Sequence, residues 1–306
     1  MTRGDSQGET ALADALPALI SVDWGTSSFR AYLSNASGHP LDVIPEGAGA
    51  LALQQGEHEA YIAGRLEAWR ARYPGLPVVA SGMVGARQGW LEAPYVACPA
   101  GAAEIAAATV TAPGGVRILP GMSCLDACGA PDVMRGEETQ IIGAGGDGIF
   151  VLPGTHSKWA RVEGGRIVSF ATYMTGEVFA VLKTHSVLGR MMTPAREGVG
   201  FSRGLEAARG LEHPGDLLHA AFMARTFGLF GTIEPDQLAE YLSGLLIGAE
   251  ILAGARGDRK ATVIGAPDLS ARYAKAGAHL GVNMSPAAEN CATLGQIEAL
   301  KRLGVL

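Results

Sequence analysis

The chain has 306 residues, 48% of them hydrophobic and 18% charged, with a formal net charge of −6. That is length enough for two domains with buried cores, in the balance of an ordinary globular protein. It contains no Lys/Arg cluster and no apolar run approaching the roughly 20 residues that span a bilayer, which argues against nucleic-acid and membrane partners.

The first 17 residues, MTRGDSQGETALADALP, carry Asp5, Glu9 and Asp14 and lack a signal peptide's apolar core. They predict a disordered leader over 1–18 and a cytoplasmic protein. An apolar strand over 18–22 runs into DWGTSS at 23–28, and a second strand over 29–33 follows. Leu66 and Trp69 recur at helical spacing in a helix over 61–73, closed by Pro74-Gly75-Leu76-Pro77. A strand over 78–80 leads into SGMVGARQGW (81–90); an alanine-rich helix over 101–109 and a strand over 116–119 come next. MRGEETQIIGAG (134–145) predicts a helix opening after Gly136 and closing at Gly143.

The second half restarts with a strand over 149–152, the loop PGTHSK (153–158) and a strand over 159–162. A Gly164-Gly165 turn joins this hairpin to a third strand over 166–170. Helices over 176–191, 202–209, 215–229 and 235–254 follow, then a strand over 261–264 ending in Gly265. A helix over 268–276, a short strand over 279–282 and a helix over 295–303 close the chain. Strands alternating with helices predict an α/β fold. The run Gly143-Ala144-Gly145-Gly146-Asp147-Gly148 suits a hinge, giving domains over 19–142 and 143–306.

Two Gly-Thr loops thus lie about 130 residues apart, each between two strands. Hairpin tips of this kind expose N–H groups and hydroxyls and make anion cradles. Gly25 and Gly154 let a ligand approach the backbone without meeting a Cβ. Asp23, at the end of the first strand, is an oxygen ligand suited to Mg²⁺ or its waters. A pair of such loops predicts a nucleotide-dependent enzyme. Cys98, Cys124, Cys128 and Cys291 form no Cys-x-x-Cys set, so neither a zinc site nor a disulfide framework is expected.

The order of Asp-x-Gly-Thr-Ser hairpin, second Gly-Thr hairpin and late strand-Gly-helix unit resembles the sugar kinase/Hsp70/actin superfamily. ISVDWGTSSFRAYL, VVASGMVGARQGW, VMRGEETQIIG and LPGTHSKW, in that order, are similar to the 2-dehydro-3-deoxygalactonokinase family. The resemblance implies two ribonuclease-H-like (actin-like ATPase) domains with an interdomain cleft holding ATP and Mg²⁺. It also implies phosphorylation of the C6 hydroxyl of 2-dehydro-3-deoxy-D-galactonate.

On this resemblance Asp23 orients the metal, and Gly25, Thr26 and Ser27 approach the terminal phosphates. Gly154, Thr155 and Ser157 hold the β-phosphate side; Lys158 adds a cation and His156 is a further candidate in the same loop. Gly265 marks the adenosine loop, although Gly265-Ala266-Pro267 departs from the superfamily's double glycine. Gly244 and Gly248 permit close helix packing nearby, in a core role. Glu138 is favoured over Glu137 as general base, with Asp126 and Asp132 behind them. RGEE also resembles the Gly-x-Glu-Glu element of the exopolyphosphatase branch, which carries a phosphohydrolase as the alternative. Arg87 and Arg135 are the candidate cations for a substrate carboxylate, and Trp90 a candidate for stacking on the sugar chain. A homodimer is left open.

Overall fold

The computed structural model describes residues 16–196 and 198–306. Of the leader expected over 1–18, residues 1–15 lie outside the described residues.

The first half opens with β1 (Leu19–Trp24), β2 (Phe29–Ser34) and β3 (Pro40–Ile44), an antiparallel meander. Then come α1 (His58–Arg72), β4 (Val78–Ser81), β5 (Tyr95–Ala97), α2 (Ala102–Ala107), β6 (Val110–Ala112) and β7 (Val116–Ile118). The strands β8 (Gly121–Leu125) and β9 (Pro131–Met134) lead to α3 (Glu137–Ala144). One sheet runs β3-β2-β1-β4-β7-β6, with β4 parallel to both β1 and β7. A small second sheet runs β5-β8-β9.

The second half contains β10 (Gly148–Leu152), β11 (Ser157–Glu163), β12 (Arg166–Tyr173), α4 (Thr175–His185), α5 (Gly200–Arg209) and α6 (Asp216–Leu229). It continues with α7 (Leu238–Ala255), β13 (Lys260–Val263), α8 (Pro267–Leu280), β14 (Asn283–Pro286) and α9 (Cys291–Arg302). Its sheet runs β12-β11-β10-β13-β14, with β13 parallel to β10 and to β14. Each main sheet therefore has a leading strand with its meander on one side and two later parallel strands on the other. This is the ribonuclease-H-like order, present twice.

The chain divides into two compact units. One comprises Met1–Asp147, Val162–Ser169 and Ala288–Leu306, the other Gly148–Arg161 and Phe170–Ala287. A single cut at 142/143 places α9 in the second half, whereas the structure counts it with the first. The reason is backbone contact between α9 and α3. A Cβ on Gly143 would stand 1.8 Å from the Cys291 carbonyl oxygen, and one on Gly295 would stand 1.9 Å from that of Thr139. Gln296 adds two buried hydrogen bonds from Nε2, to the Val22 carbonyl and to Ser81 Oγ, each 2.9 Å.

The first unit's core joins Ile20, Val22 and Trp24 of β1 to Ile62, Leu66 and Trp69 of α1. The second unit's core gathers Val151, Trp159, Leu205, Ile251, Val263 and Tyr273. Contrary to the reading of apolar runs, the stretch Pro235–Ala255 is long and apolar enough to cross a membrane. It lies mostly buried as the central helix of its unit. There a Cβ on Gly244 would stand 2.2 Å from the Phe201 carbonyl oxygen, so the paired glycines of α7 serve close packing on α5. The strand expected over 279–282 lies at 283–286 instead. Helix α8 continues to Leu280, and Gly281 at φ +82° ends it in the left-handed region.

Gly295→Ala is expected to destabilise the protein by about 2 kcal/mol, because overpacking against Thr139 outweighs the gain of about 1 kcal/mol in helix propensity. A urea midpoint unchanged from the parent would show that α9 does not depend on this backbone approach.

Candidate active site

In the first unit the site builds on the carboxyl ends of β1 and β4. Asp23 pairs in register with Arg30 across the hairpin and with Ser81 on the parallel side. Burial raises its pKa, and the Arg30 charge opposes that shift. The turn after it is closed by the Gly25 N–H donating to the Ser28 carbonyl at 2.9 Å. The carbonyls of Gly25 and Thr26 accept from Ala50 and Leu51, which anchors the turn and leaves the side chains of Thr26 and Ser27 exposed.

Gly82 follows β4 at φ +97°, where a Cβ would stand 2.9 Å from the Trp24 carbonyl oxygen. Gly136, at φ +108° before α3, comes so near Gly82 that its Cβ would stand 3.2 Å from the Gly82 Cα. The ends of β1, β4 and β9 with the start of α3 therefore meet in one place. In the sequence Gly136 marked only a helix start and Gly82 stood only within SGMVGARQGW; the further signal available was a glycine immediately after a strand.

The glutamate pair separates here. Glu138 is 0% exposed, and both its oxygens accept the Gly136 N–H, at 2.9 and 2.8 Å, while Thr139 Oγ1 donates to Oε1 at 3.0 Å. Burial, with the neighbouring Glu137 charge, pushes its pKa up to about 8. Glu138, the favoured candidate for general base, therefore has its carboxyl group turned into its own helix start. Glu137 is partly exposed, and its Oε2 accepts the Arg135 N–H at 3.0 Å.

The arginines and Trp90 also separate. Arg135 is 8% exposed, donates from Nη2 to the Ala93 carbonyl at 2.8 Å and lies 4.2 Å over the Tyr95 ring. Its guanidinium is turned into the protein, which leaves Arg87 as the exposed cation of the two. Trp90 is partly buried and packs on the aromatic core, its ring centroid 6.4 Å from that of Trp24. Asp126 accepts from the N–H groups of Cys128 and Ala130 in its own turn, both at 2.8 Å, as a turn-forming aspartate does. Asp132 likewise accepts the N–H of the next residue, Val133, at 2.7 Å.

In the second unit the loop between β10 and β11 carries the second Gly-Thr pair. A Cβ on Gly154 would meet nothing within 4 Å, and Thr155 is exposed, so the tip is open to a ligand. Ser157 is 0% exposed and its hydroxyl accepts the Gly154 N–H at 3.4 Å, which places it beneath the loop. Lys158 is 6% exposed, unlike a cation projecting from a loop tip. His156 is exposed but engaged, its Nε2 lying 2.5 Å from Glu177 Oε2. The start of α4 closes on this loop: the Glu177 N–H donates to the Thr155 carbonyl at 3.0 Å, and Gly176 lies against Gly154. Gly265 is exposed, and a Cβ there would stand 3.6 Å from Pro153 Cδ, which places the start of α8 beside the same loop.

Exposed hydroxyls and two nearby helix starts suit an anionic phosphate chain. Among the described residues no group of three or more His, Cys, Asp or Glu could hold a metal. Asp23 with phosphate oxygens and water is a donor set that suits Mg²⁺, which is often bound through one or two carboxylates plus substrate phosphates.

A profile of the 2-keto-3-deoxy-galactonokinase family matches residues 23–299. A 2-dehydro-3-deoxygalactonokinase of Escherichia coli (strain K12) is 35% identical over 289 residues, covering 92% of this chain and 96% of that protein. A Rhizobium meliloti (strain 1021) protein described as a probable 2-dehydro-3-deoxygalactonokinase is 37% identical over 277 residues, covering 86% and 90%. A crystal structure of a Sinorhizobium meliloti protein described with the same kinase name superposes with a TM-score of 0.84 at 32% identity, covering 94% of this chain and 100% of that one. The chain belongs to the 2-keto-3-deoxy-galactonokinase family and is a carbohydrate kinase.

Proposed function

We propose that this kinase transfers the γ-phosphoryl group of ATP to the C6 hydroxyl of 2-dehydro-3-deoxy-D-galactonate in the cytoplasm, with Mg²⁺ as the required cation. The observation that carries the reading is the repeated strand–Gly-Thr–strand loop at the leading strand of two sheets of the same order, with Asp23 at the first. The names of the relatives supply the acceptor.

Phosphoryl transfer asks a protein for positioning and charge neutralisation more than for covalent chemistry. Bound Mg²⁺ supplies charge neutralisation at the phosphate oxygens. Asp23 orients the cation and its waters, while the hydroxyls of Thr26 and Ser27 donate to terminal phosphate oxygens. Thr155 offers its hydroxyl to the β-phosphate side, Gly154 lets the phosphate approach without meeting a Cβ, and Gly265 leaves room for the nucleoside. Arg87 faces the carboxylate of the sugar acid. Glu137, the partly exposed member of its pair, takes the proton of the acceptor hydroxyl. Glu138 fixes the backbone at Gly136 and so orients the helix start that carries Glu137.

ADP release measured with ATP–Mg²⁺ and a panel of 2-keto-3-deoxy sugar acids should occur with the galactonate compound alone. ADP release without acceptor, or phosphate release from polyphosphate, would move the protein to the phosphohydrolases. Glu137→Gln should lower kcat by 10² or more, the usual worth of a general base, with the KM for ATP little changed. Asp23→Asn should shift the Mg²⁺ requirement to higher concentration, read by titrating the metal at fixed ATP.

Glu138 makes a separate claim on stability. A carboxyl whose folded pKa of about 8 exceeds its ordinary 4.5 favours the fold fully below 4.5, and that contribution is lost as pH rises through about 8. Glu138→Gln should therefore raise the thermal midpoint relative to the parent at pH 9 and leave it close to the parent at pH 5. Equal shifts at the two pH values would mean that Glu138 does not titrate in this range.

A further inference from the structure

One buried ionisable group has no part in the roles given above. Glu250, on α7, is almost wholly inaccessible, and burial raises its pKa. Its Oε1 accepts the indole N–H of Trp159 at 2.8 Å, and its Oε2 accepts the hydroxyl of Tyr273 at 2.8 Å. The side chains of Thr175 and Ser157 also hydrogen-bond toward it. Tyr273 lies on α8, and its oxygen is 3.2 Å from Ser157 Oγ, the same atom that receives the Gly154 N–H.

Donors and acceptors in this chain of groups run one way. Tyr273 donates its hydrogen to Glu250 Oε2, and a hydroxyl has only one to give. The single Ser157 hydrogen goes to the Tyr273 oxygen or to Glu250 itself, and in both cases Ser157 has only lone pairs left for the Gly154 N–H. Glu250 thereby dictates, directly or through the Tyr273 hydroxyl, what Ser157 can offer the loop.

The same carboxylate ties three segments together. Trp159 and Ser157 belong to β11, Tyr273 to the helix that starts after Gly265-Ala266, and Thr175 to the start of α4. That last helix start is the one whose Glu177 N–H and Gly176 close on Thr155 and Gly154. Stability alone does not call for a carboxyl here, since well-packed apolar groups commonly serve a core as well as buried ions do.

We propose that Glu250 is a positioning residue for the nucleotide-side loop, acting through Tyr273, Ser157 and Thr175 to fix Gly154 and Thr155 in the arrangement that receives the diphosphate of a nucleoside di- or triphosphate. This rests on the nucleotide-binding part of the function proposed above. The ligand class is set by the exposed Thr155 hydroxyl and the helix starts beside the loop, and no base-specific contact is involved.

The test is calorimetric binding of Mg–ADP to the full-length protein and its Tyr273→Phe, Glu250→Gln and double variants, with KM for ATP and for the sugar acid measured alongside. Tyr273→Phe removes one oxygen and keeps the ring in the core. Each single variant should weaken ADP about tenfold and raise the KM for ATP similarly, with the KM for the sugar acid within twofold of the parent. Because the groups act in series, the double variant should be no weaker than the singles. Thr175→Val, at the edge of the network, should give a smaller effect of the same kind, and it serves with Tyr273→Phe if Glu250→Gln does not fold. ADP affinity within twofold of the parent in Tyr273→Phe, equal rises in both KM values, or single effects that multiply in the double variant would each overturn the proposal. A parent protein that binds ADP but does not phosphorylate the sugar acid defeats the assigned acceptor only, and the ADP affinities still decide the role of Glu250. A parent that binds no ADP overturns both.

Discussion

A Cβ at position 82 would stand 2.9 Å from the carbonyl oxygen of Trp24, and the arrangement of the first unit's site depends on that Cβ being absent. The carboxyl ends of two parallel strands lie side by side at strand spacing, and the chain leaving β4 must turn across the end of β1. Only glycine accepts φ +97° there at no steric cost and also clears the neighbouring backbone. Gly136 then approaches Gly82 in turn. Asp23, the Gly25 turn and the start of α3 are brought together by backbone crowding, before any side chain contributes an interaction.

Each unit also buries a glutamate close to its loop, and the two are held differently. Glu138 receives hydrogen bonds from its own helix start, from the Gly136 N–H and Thr139. Glu250 receives them from side chains far away in sequence, Trp159 and Tyr273. Burial raises the pKa of both, since a charged carboxylate loses its hydration, and the hydrogen bonds offset only part of that cost. The first carboxylate acts on a helix start and the second on a hairpin tip. Both leave the more accessible groups, Glu137 in one unit and Thr155 in the other, on backbone that is held from beneath.

The C-terminal helix shows why a linear division of this chain misleads. The run Gly143–Gly148 marks a change of element, and a single boundary there is the natural reading of the sequence. Yet α9 lies with the first unit, because Gly143 and Gly295 allow contact between its backbone and that of α3, and Gln296 reaches Val22 and Ser81. In the sequence these positions are two glycines and a glutamine separated by about 150 residues, with no pattern linking them.

The strands flanking both Gly-Thr loops, the helices over most of their lengths and the α/β class follow from the sequence alone. Alternation, apolar runs and glycine turns are local, and the backbone obeys them locally. The short strands β3, β5, β6, β8 and β9 carry no such signal, since several of their residues are exposed and they depend on a neighbouring strand for their hydrogen bonds. Side-chain direction within a motif is equally beyond local reading. RGEE does not say that Arg135 stacks on Tyr95 while Glu138 turns inward, nor does PGTHSK say that Ser157 and Lys158 are buried while Thr155 is open. Sequence determined where the loops lie and which residue types they carry. Tertiary structure alone decided which of those side chains face solvent, because burial is set by what packs against a residue, and those partners come from distant parts of the chain.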